Sequence, residues 1–499
     1  MVMSSLNRRS FLKSSALTVA GASVFAISGT SASGQILGAN DRVRIAVSGV
    51  GIRGRQLINR WFGDLPNVEF AYVVDTDGER VEQGKREVIA KTGKTPKGTQ
   101  DFRVMLEDKD VDAVVITSID VWHALQTIWA CQAGKDVFVE KPCSQRLFEG
   151  RRCVEAAEKY GRVVQHGTQR RGDLDWARVA AAVQSEKYGK LVAAKVYTNR
   201  PRNSLGFKPI QAPPAHINWS QWLGPAPLMD YHGNLHPYNW HWFWDLGNGE
   251  IMNNGVHFFD LCLWAMNKTH PNSVISFGAR FVEDPANNYK DQGETPTLQF
   301  ALYDFGGIPV VAEVCNVAGP RERWTGSERR WNPIETVVFY TENGIIDGRE
   351  GTFTPNGGEP ERIIEFEFDR PAEGGIFANF IDAVRNRNSV PLMAPILDGH
   401  YSSAVPHWAI AAYRTGKRET LETCREKMGD NAILQESIDK VAENIRDIFQ
   451  DDVKLEDIPF QISEKLTIDT EREQFVNSPE ADQFLTRVPR EPFAIPEQV

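Results

Sequence analysis

The stretch VRIAVSGVGIRG, residues 43–54, decides the fold. A short apolar run, Val43–Val47, meets a turn with glycine at Gly49, Gly51 and Gly54. RQLINRWF follows with helical spacing, placing Leu57, Ile58 and Trp61 on one face. Strand, glycine-rich turn and helix then recur in register with what comes next. VEFAYVVD is a second strand closing on Asp75, and GERVEQGKREVIAKTG is helical. DVDAVVITS supplies a third strand over Ala113–Thr117, and a helix is expected over Trp122–Ala133. DVFVEKPCS (residues 136–144) begins as a fourth strand, Leu147–Tyr160 as a helix stopped by Gly161, and VVQHG as a fifth strand. Strands alternating with helices predict a parallel sheet wrapped on both faces, a doubly wound α/β domain over residues 40–166.

In that setting Gly49-Val50-Gly51-Ile52-Arg53-Gly54 reads as a dinucleotide turn. Gly49 allows the tight turn, Gly51 lets backbone N–H groups approach a pyrophosphate, and Gly54 lets helix and strand pack closely. Asp75, about twenty residues on, can accept hydrogen bonds from the adenosine ribose and would repel a 2′-phosphate. NAD is therefore favoured over NADP, although Arg53 could in principle accommodate NADP. Ligands of such sheets lie outside the carboxyl ends of the strands, where Thr117-Ser118, Glu140-Lys141-Pro142 and Gln165-His166 are found.

Composition narrows the class. The chain has 499 residues, 41% hydrophobic and 24% charged, with a formal net charge of −10. That length implies more than one domain. No Lys/Arg-rich run appears, so nucleic acid is not an expected partner. Six cysteines (Cys131, Cys143, Cys153, Cys262, Cys315, Cys424) form no CxxC pair and read as buried thiols. No metal is expected. His232 and His236 in HGNLH have i, i+4 spacing but sit among Gly, Pro and Asn, with no helix to align them.

The amino-terminal segment, residues 1–34, carries Arg8, Arg9 and Lys13, no acid, and a weakly apolar run to about Ser28. It resembles a twin-arginine export signal, with Asn7 where Ser or Thr is commoner and small residues near Ala32 for cleavage. The expected location is extracytoplasmic or periplasmic, with no membrane span after signal removal.

The chain as a whole resembles the glucose–fructose oxidoreductase / inositol dehydrogenase (Gfo/Idh/MocA) family. The likeness rests on GVGIRG, ITSIDVWHA, AGKDVFVEKPCS, EKYGRVVQHGTQRR, GNGEIMNNGVHFFDLCLW, FANFIDAVRNR and GHYSSAVPHWAIAAYRTGK. It implies a second α/β domain, residues 167–424, with an open, mostly antiparallel mixed sheet that can mediate a homo-oligomer (dimer or tetramer). Residues 425–499 are expected to be a peripheral helix and extended tail. The implied activity is hydride transfer between NAD and a secondary alcohol of a small sugar or polyol. Relatives that cleave glycosides through a transient keto sugar, and a catalytically inactive carbohydrate-binding relative, are the alternatives.

By the same likeness Lys141 is the lysine of the EKP motif, touching nicotinamide and substrate hydroxyl, and His257 is the proton acceptor. Asn253 stands where the family commonly has Asp, and is expected to position rather than to take a proton. Thr117, Ser118, His123 and Glu140 are expected beside the cofactor, with Trp122 either there or in the packing. Gln169, Arg170 and Trp242, the last within NWHWFWD, are expected beside the substrate. Asp260 reads as structural. Export adds an argument: outside the cytoplasm no nicotinamide pool is expected, so a tightly held cofactor that is regenerated within each cycle fits best.

Overall fold

The computed structural model describes residues 42–317, 335–364, 366, 374–449 and 452–499. The expected export signal lies outside the described residues. Six strands, β1 (Val43–Ser48), β2 (Val68–Val74), β3 (Lys97–Thr99), β4 (Ala113–Ile116), β5 (Asp136–Val139) and β6 (Val164–His166), form one sheet. Its order is β3-β2-β1-β4-β5-β6, and every pairing is parallel. The order reverses at β1, so a crevice opens at the carboxyl ends of β1 and β4. Helices α1 (Ile52–Gln56), α2 (Gly78–Thr92), α3 (Asp120–Gln132) and α4 (Leu147–Tyr160) connect the strands. A π-helical turn, Leu57–Trp61, continues α1. Gly161 closes α4 in the left-handed region at φ 59°, a conformation that favours glycine. Edge strand β3 is the one the sequence reading lacks: its three residues, KGT, are exposed or half-buried and carry no apolar period.

The second sheet has twelve strands. They are β7 (Leu191–Asn199), β8 (Ser273–Ala279), β9 (Leu298–Asp304), β10 (Pro309–Cys315), β11 (Glu335–Thr341), β12 (Gly344–Asp347), β13 (Thr352–Pro355), β14 (Glu361–Arg362), β15 (Lys417–Glu419), β16 (Phe460–Ile462), β17 (Leu466–Asp469) and β18 (Gln474–Phe475). The main path runs β14-β13-β12-β11-β7-β10-β9-β8-β16-β15. It is antiparallel except where β10 lies parallel to β7. Alternation along the strands sorts side chains to two faces. Val274, Val310, Ala312 and Val314 pack with α5 (Gly255–Met266) on one face. Ile275, Phe277 and Val311 face the other way.

Helix α6 (Gly375–Asn386) crosses to the first domain, setting Phe377 and Phe380 against Phe62 and Phe138 at ring distances of 5.4–6.3 Å. Helix α7 (Ile396–Thr415) puts the fully buried Trp408 into the core shared with α5. Helix α8 (Ala432–Phe449) repeats apolar residues as Leu434, Ile438, Val441 and Ile445, and this stripe covers Ile275, Phe277 and Val311.

This corrects the expectation that residues 425–499 are peripheral. They supply the cover of the second sheet face and strands β16–β18. Helical periodicity announced α8 but did not say which surface it would bury. All six cysteines are buried and unpaired, and among the described residues no helix is long and apolar enough to cross a membrane.

Beneath α8 lies a buried ion pair. Lys195 Nζ stands 2.7 Å from Glu313 Oε2 and 4.0 Å from the ring centroid of Tyr197, and also donates to Ser437. Asn199 Nδ2 donates to Glu313 at 2.5 Å. Replacing Lys195→Ala leaves that carboxylate buried without its cation and should cost about 3–5 kcal/mol in urea unfolding. A Lys195→Met/Glu313→Leu double variant should recover most of the loss. Equal losses in the two would show that the ion pair is not what the packing depends on.

Candidate active site

The glycine-rich turn forms because side chains would collide there. Gly49 has φ +89°, and a Cβ on it would sit 2.4 Å from the Ser118 backbone nitrogen. A Cβ on Gly54 would lie 2.1 Å from the Gly49 carbonyl oxygen. At Gly51 the nearest atom to a Cβ would be Arg80 Nη1 at 3.0 Å, the far end of a flexible side chain that can move aside, and Gly51 lines the cavity. Asp75 accepts from the Val50 N–H at 2.7 Å and the Asp77 N–H at 3.0 Å. It thereby ties the turn to the end of β2 and keeps lone pairs for a ribose. Burial pushes its carboxyl above the usual range, against the pull of Arg80.

A cavity of about 360 Å³ runs from this turn past the ends of β4 and β5 to the second domain. Of the expected residues, Gly49, Gly51, Ile52, Arg53, Asp75, Thr117, Ser118, Trp122, His123, Glu140, Lys141, Gln169, Asn253 and His257 line it. Val50 is buried behind the turn beside Gly84. Trp242 does not line the cavity: it is buried beneath the Arg202 guanidinium at 5.3 Å, while Trp240 and His241, stacked at 3.6 Å, face it instead. Arg170 does not line the cavity either: it lies over the Phe258 ring at 5.0 Å and acts on His257 electrostatically.

Arg53 is corrected as a 2′-phosphate partner. Its guanidinium lies 4.5 Å over the Trp61 ring and donates to Glu140 at 2.6 Å, with Gln169 at 3.5 Å. The cation beside Asp75 is Arg80, itself 3.7 Å from Asp77. His123 is a strut: Nδ1 faces the Pro142 carbonyl at 2.6 Å and Nε2 the Ser118 carbonyl at 3.0 Å. Burial moves His123 below its ordinary pKa. Thr117 donates its hydroxyl to the Ser48 and Gly49 carbonyls, holding the turn to β4.

Lys141 spans the two domains. From the end of β5 its Nζ donates to the Asn253 carbonyl at 2.5 Å and to Asn253 Oδ1 at 3.2 Å. Asn253 Nδ2 lies 3.5 Å from Glu250, and Asn254 donates to the same carboxylate. Glu250 is buried and salt-bridged to Arg202 at 2.9 Å. The carboxylate on one side and the amine on the other fix the amide's orientation. Burial pushes the Lys141 amine below its usual range, opposed by Asp120, Glu140 and Glu250 and assisted by Arg53.

His257 is 9% exposed, and its Nδ1 has no partner among the described residues. Burial first, then Lys141, Arg170, Arg53 and His166, hold it well below its ordinary pKa, so the ring is neutral. Asp260 is structural as expected from its place one turn on: Arg171 Nε donates to it at 2.8 Å and Ser402 at 2.7 Å.

Asp120, His241 and Phe493 of this cavity escaped the sequence reading, as did Glu250 beside Asn253. Glu250 had a signal in its i, i+3 and i, i+4 spacing to Asn253 and Asn254. Phe493 had none, because it arrives from the far end of the chain. The cavity wall at Gly51, the free lone pairs of Asp75 and the unpartnered His257 nitrogen suit a nicotinamide dinucleotide held along the cavity. Gly49–Gly54 and Asp75 would hold its diphosphate and ribose, with Lys141 and His257 at the redox end.

Residues 43–168 match the family model described as "Oxidoreductase family, NAD-binding Rossmann fold", and residues 203–287 match "Oxidoreductase family, C-terminal alpha/beta domain". An inositol 2-dehydrogenase from Saccharopolyspora erythraea is 34% identical over 159 residues, 32% of this chain and 45% of that enzyme. A glycosyl hydrolase family 109 protein from Shewanella pealeana is 30% identical over 171 residues, 31% of this chain and 37% of that protein. The chain thus spans less than half the length of these relatives. The solved WlbA dehydrogenase of Bordetella pertussis, in complex with NADH and UDP-GlcNAcA, shares the fold with a TM-score of 0.54 and 18% identity, over 75% of this chain and 97% of that one. Both matched segments, the Rossmann domain and the opening of the second domain, are similar to the corresponding parts of Gfo/Idh/MocA oxidoreductases.

Proposed function

We propose that the protein is an NAD-dependent oxidoreductase that moves hydride between a secondary alcohol of a sugar or polyol and a nicotinamide it keeps bound. One observation carries this reading: the Lys141 amine, buried and aimed across the cavity, meets Asn253 from the other domain, with His257 lining the same cavity, beside a glycine-rich turn. An amine there can hydrogen-bond the reacting oxygen and stabilise negative charge that develops on it. Bound NAD supplies the hydride acceptor. The carboxylates of Asp75 and Asp77 at the end of β2 favour NAD over its 2′-phosphorylated form.

Retention of the cofactor is supported by the cover on the cleft. Residues 205–246 fold back over the nucleotide side: Asn218 N–H donates to the Thr76 carbonyl at 3.0 Å, and Gly78 N–H to the His216 carbonyl at 2.9 Å. Trp122 Nε1 donates to the Gln221 carbonyl at 2.9 Å. The carboxyl-terminal tail locks this strap. Arg490 donates to the Gly224 carbonyl at 2.6 Å, and Phe493 meets the Trp122 ring edge-on at 5.2 Å while lining the cavity. Such enclosure suits export of a folded protein with its cofactor aboard, and chemistry that returns the hydride within one cycle. The same enclosure, with the family 109 relative, favours a second reading: oxidation, elimination and re-reduction that cleave a glycoside with no net redox change.

Protein purified from its native compartment and denatured with acid should release near-stoichiometric NAD(H). Protein that carries none and binds none on addition would sink the proposal. Release of aglycone from aryl glycosides without accumulation of reduced nicotinamide would select the second reading. Phe493→Ala should speed cofactor dissociation about tenfold, the loss of roughly 1.4 kcal/mol of ring contact. This is read by displacement of bound NADH fluorescence, and an unchanged off-rate would show that the tail is no lock. Lys141→Met should retain cofactor yet slow single-turnover reduction of the nicotinamide by at least about 100-fold.

A further inference from the structure

Under that reading the alcohol's proton needs an acceptor, and the obvious one is poor. His257 sits among Lys141, Arg170 and Arg53, which oppose its taking a positive charge. Asn253, beside it, accepts no proton at all. The cavity holds another candidate. Asp120, first residue of α3, is 4% exposed and lines the cavity. Its carboxylate accepts no hydrogen bond from any described residue, and the one charge acting on it is the Lys141 ammonium. The other carboxylates facing Lys141 are already engaged: Glu140 by Arg53 at 2.6 Å, and Glu250 by Arg202 at 2.9 Å.

We propose that Asp120 is the final proton acceptor of this site, reached through Lys141, and that it stands in for the carboxylate that Asn253 lacks. The transfer balances. Lys141 passes a proton to the Asp120 carboxylate and takes the hydroxyl proton of the substrate. The carbinol C–H bond breaks with its electron pair leaving to the nicotinamide, and the C–O bond becomes a carbonyl. At the end Lys141 is again an ammonium, and the substrate's proton rests on Asp120. In the reverse direction Asp120 returns it.

The groups around this pair determine its titration. Burial pushes Asp120 up to about 8, and Lys141 opposes that shift. Lys141 in turn faces Asp120, Glu140, Glu250 and Arg53, while His123 and His241 are buried neutral beside it. Near neutral pH Asp120 therefore holds a proton before cofactor binds. A positive nicotinamide entering the cavity favours the carboxylate, so oxidised cofactor should discharge that proton and arm the acceptor, whereas reduced cofactor should not.

The test needs no substrate. Protein stripped of cofactor is titrated with NAD⁺ and with NADH by calorimetry near pH 7, in two buffers of different ionisation enthalpy. Wild type should release up to about one proton per NAD⁺ and almost none per NADH. Asp120→Asn should bind NAD⁺ without that release. Lys141→Met should still release it, at higher pH, because the cation that opposes the raised Asp120 pKa is gone. Release that survives in Asp120→Asn and vanishes in Lys141→Met would overturn the proposal and assign the proton to the lysine. If Asp120→Asn fails to fold, Asp120→Glu serves: an unmoved pH profile of release overturns the proposal, and a displaced one supports it. Failure of the wild type to bind either nucleotide overturns the functional reading and this inference together.

Discussion

A lysine amine taken out of water must find acceptors, and Lys141 finds them across a domain boundary. Its carbonyl and amide oxygen partners belong to Asn253, in the short helical turn before α5. Unpaired burial of such a group would cost several kcal/mol. The contact is therefore satisfied only when the two sheets stand in one relation to each other. That relation is over-determined elsewhere: α6 reaches back onto the first sheet through Phe377 and Phe380, and the His166 N–H of β6 donates to the Ala394 carbonyl at 2.8 Å. The active cavity is a consequence of this docking.

Closure changes the electrostatics of what it encloses. The strap over the nucleotide side and the tail residue Phe493 narrow the access of water to the cleft. With less solvent, each charge acts over a longer range. This is why Lys141, His257 and His241 are all pushed below their ordinary pKa values by burial before any neighbour is counted. A buried network works only if its members are satisfied. Glu473, at the turn between β17 and β18, shows the same rule away from the cavity. Burial alone would raise it, yet hydrogen bonds from His270, His400 and Arg151 hold it well below the usual carboxylate range, pinning the terminal hairpin to α4 and α7.

The first domain was legible because its elements are local: an apolar run, a turn that only glycine fits, an amphipathic helix. Helix Leu147–Tyr160 follows from residues within one turn of its ends, and β3 escaped because a three-residue edge strand has no period to read. At the site, legibility followed sequence distance. Gly49–Gly54, Asp75 and Lys141 lie on consecutive strand ends, and topology alone aims them at one crevice. Trp242 was expected at the cavity and Trp240 was not, because a single 3₁₀ turn decides which of two nearby indoles faces inward. Phe493 and α8 come from residues more than a hundred positions beyond the second domain's core helix α5, and nothing local reports what they cover.

The charges of the cavity explain why an asparagine can stand at 253. Arg53 is matched by Glu140 and Arg202 by Glu250, which leaves Lys141 with Asp120. An aspartate at 253 would bring a further anion to within about the 3.5 Å that now separates Asn253 from Glu250. Two carboxylates that close cannot both ionise without cost, and one would have to draw on Lys141 for compensation. The amide avoids the conflict: its nitrogen can donate to Glu250 while its oxygen accepts from Lys141, two roles an ionised carboxylate cannot combine. Once Glu250 occupies the floor beneath the turn, position 253 is better filled by a group that transmits orientation than by one that carries charge. Under the proposed route the proton chemistry passes instead to Asp120, on which no arginine acts.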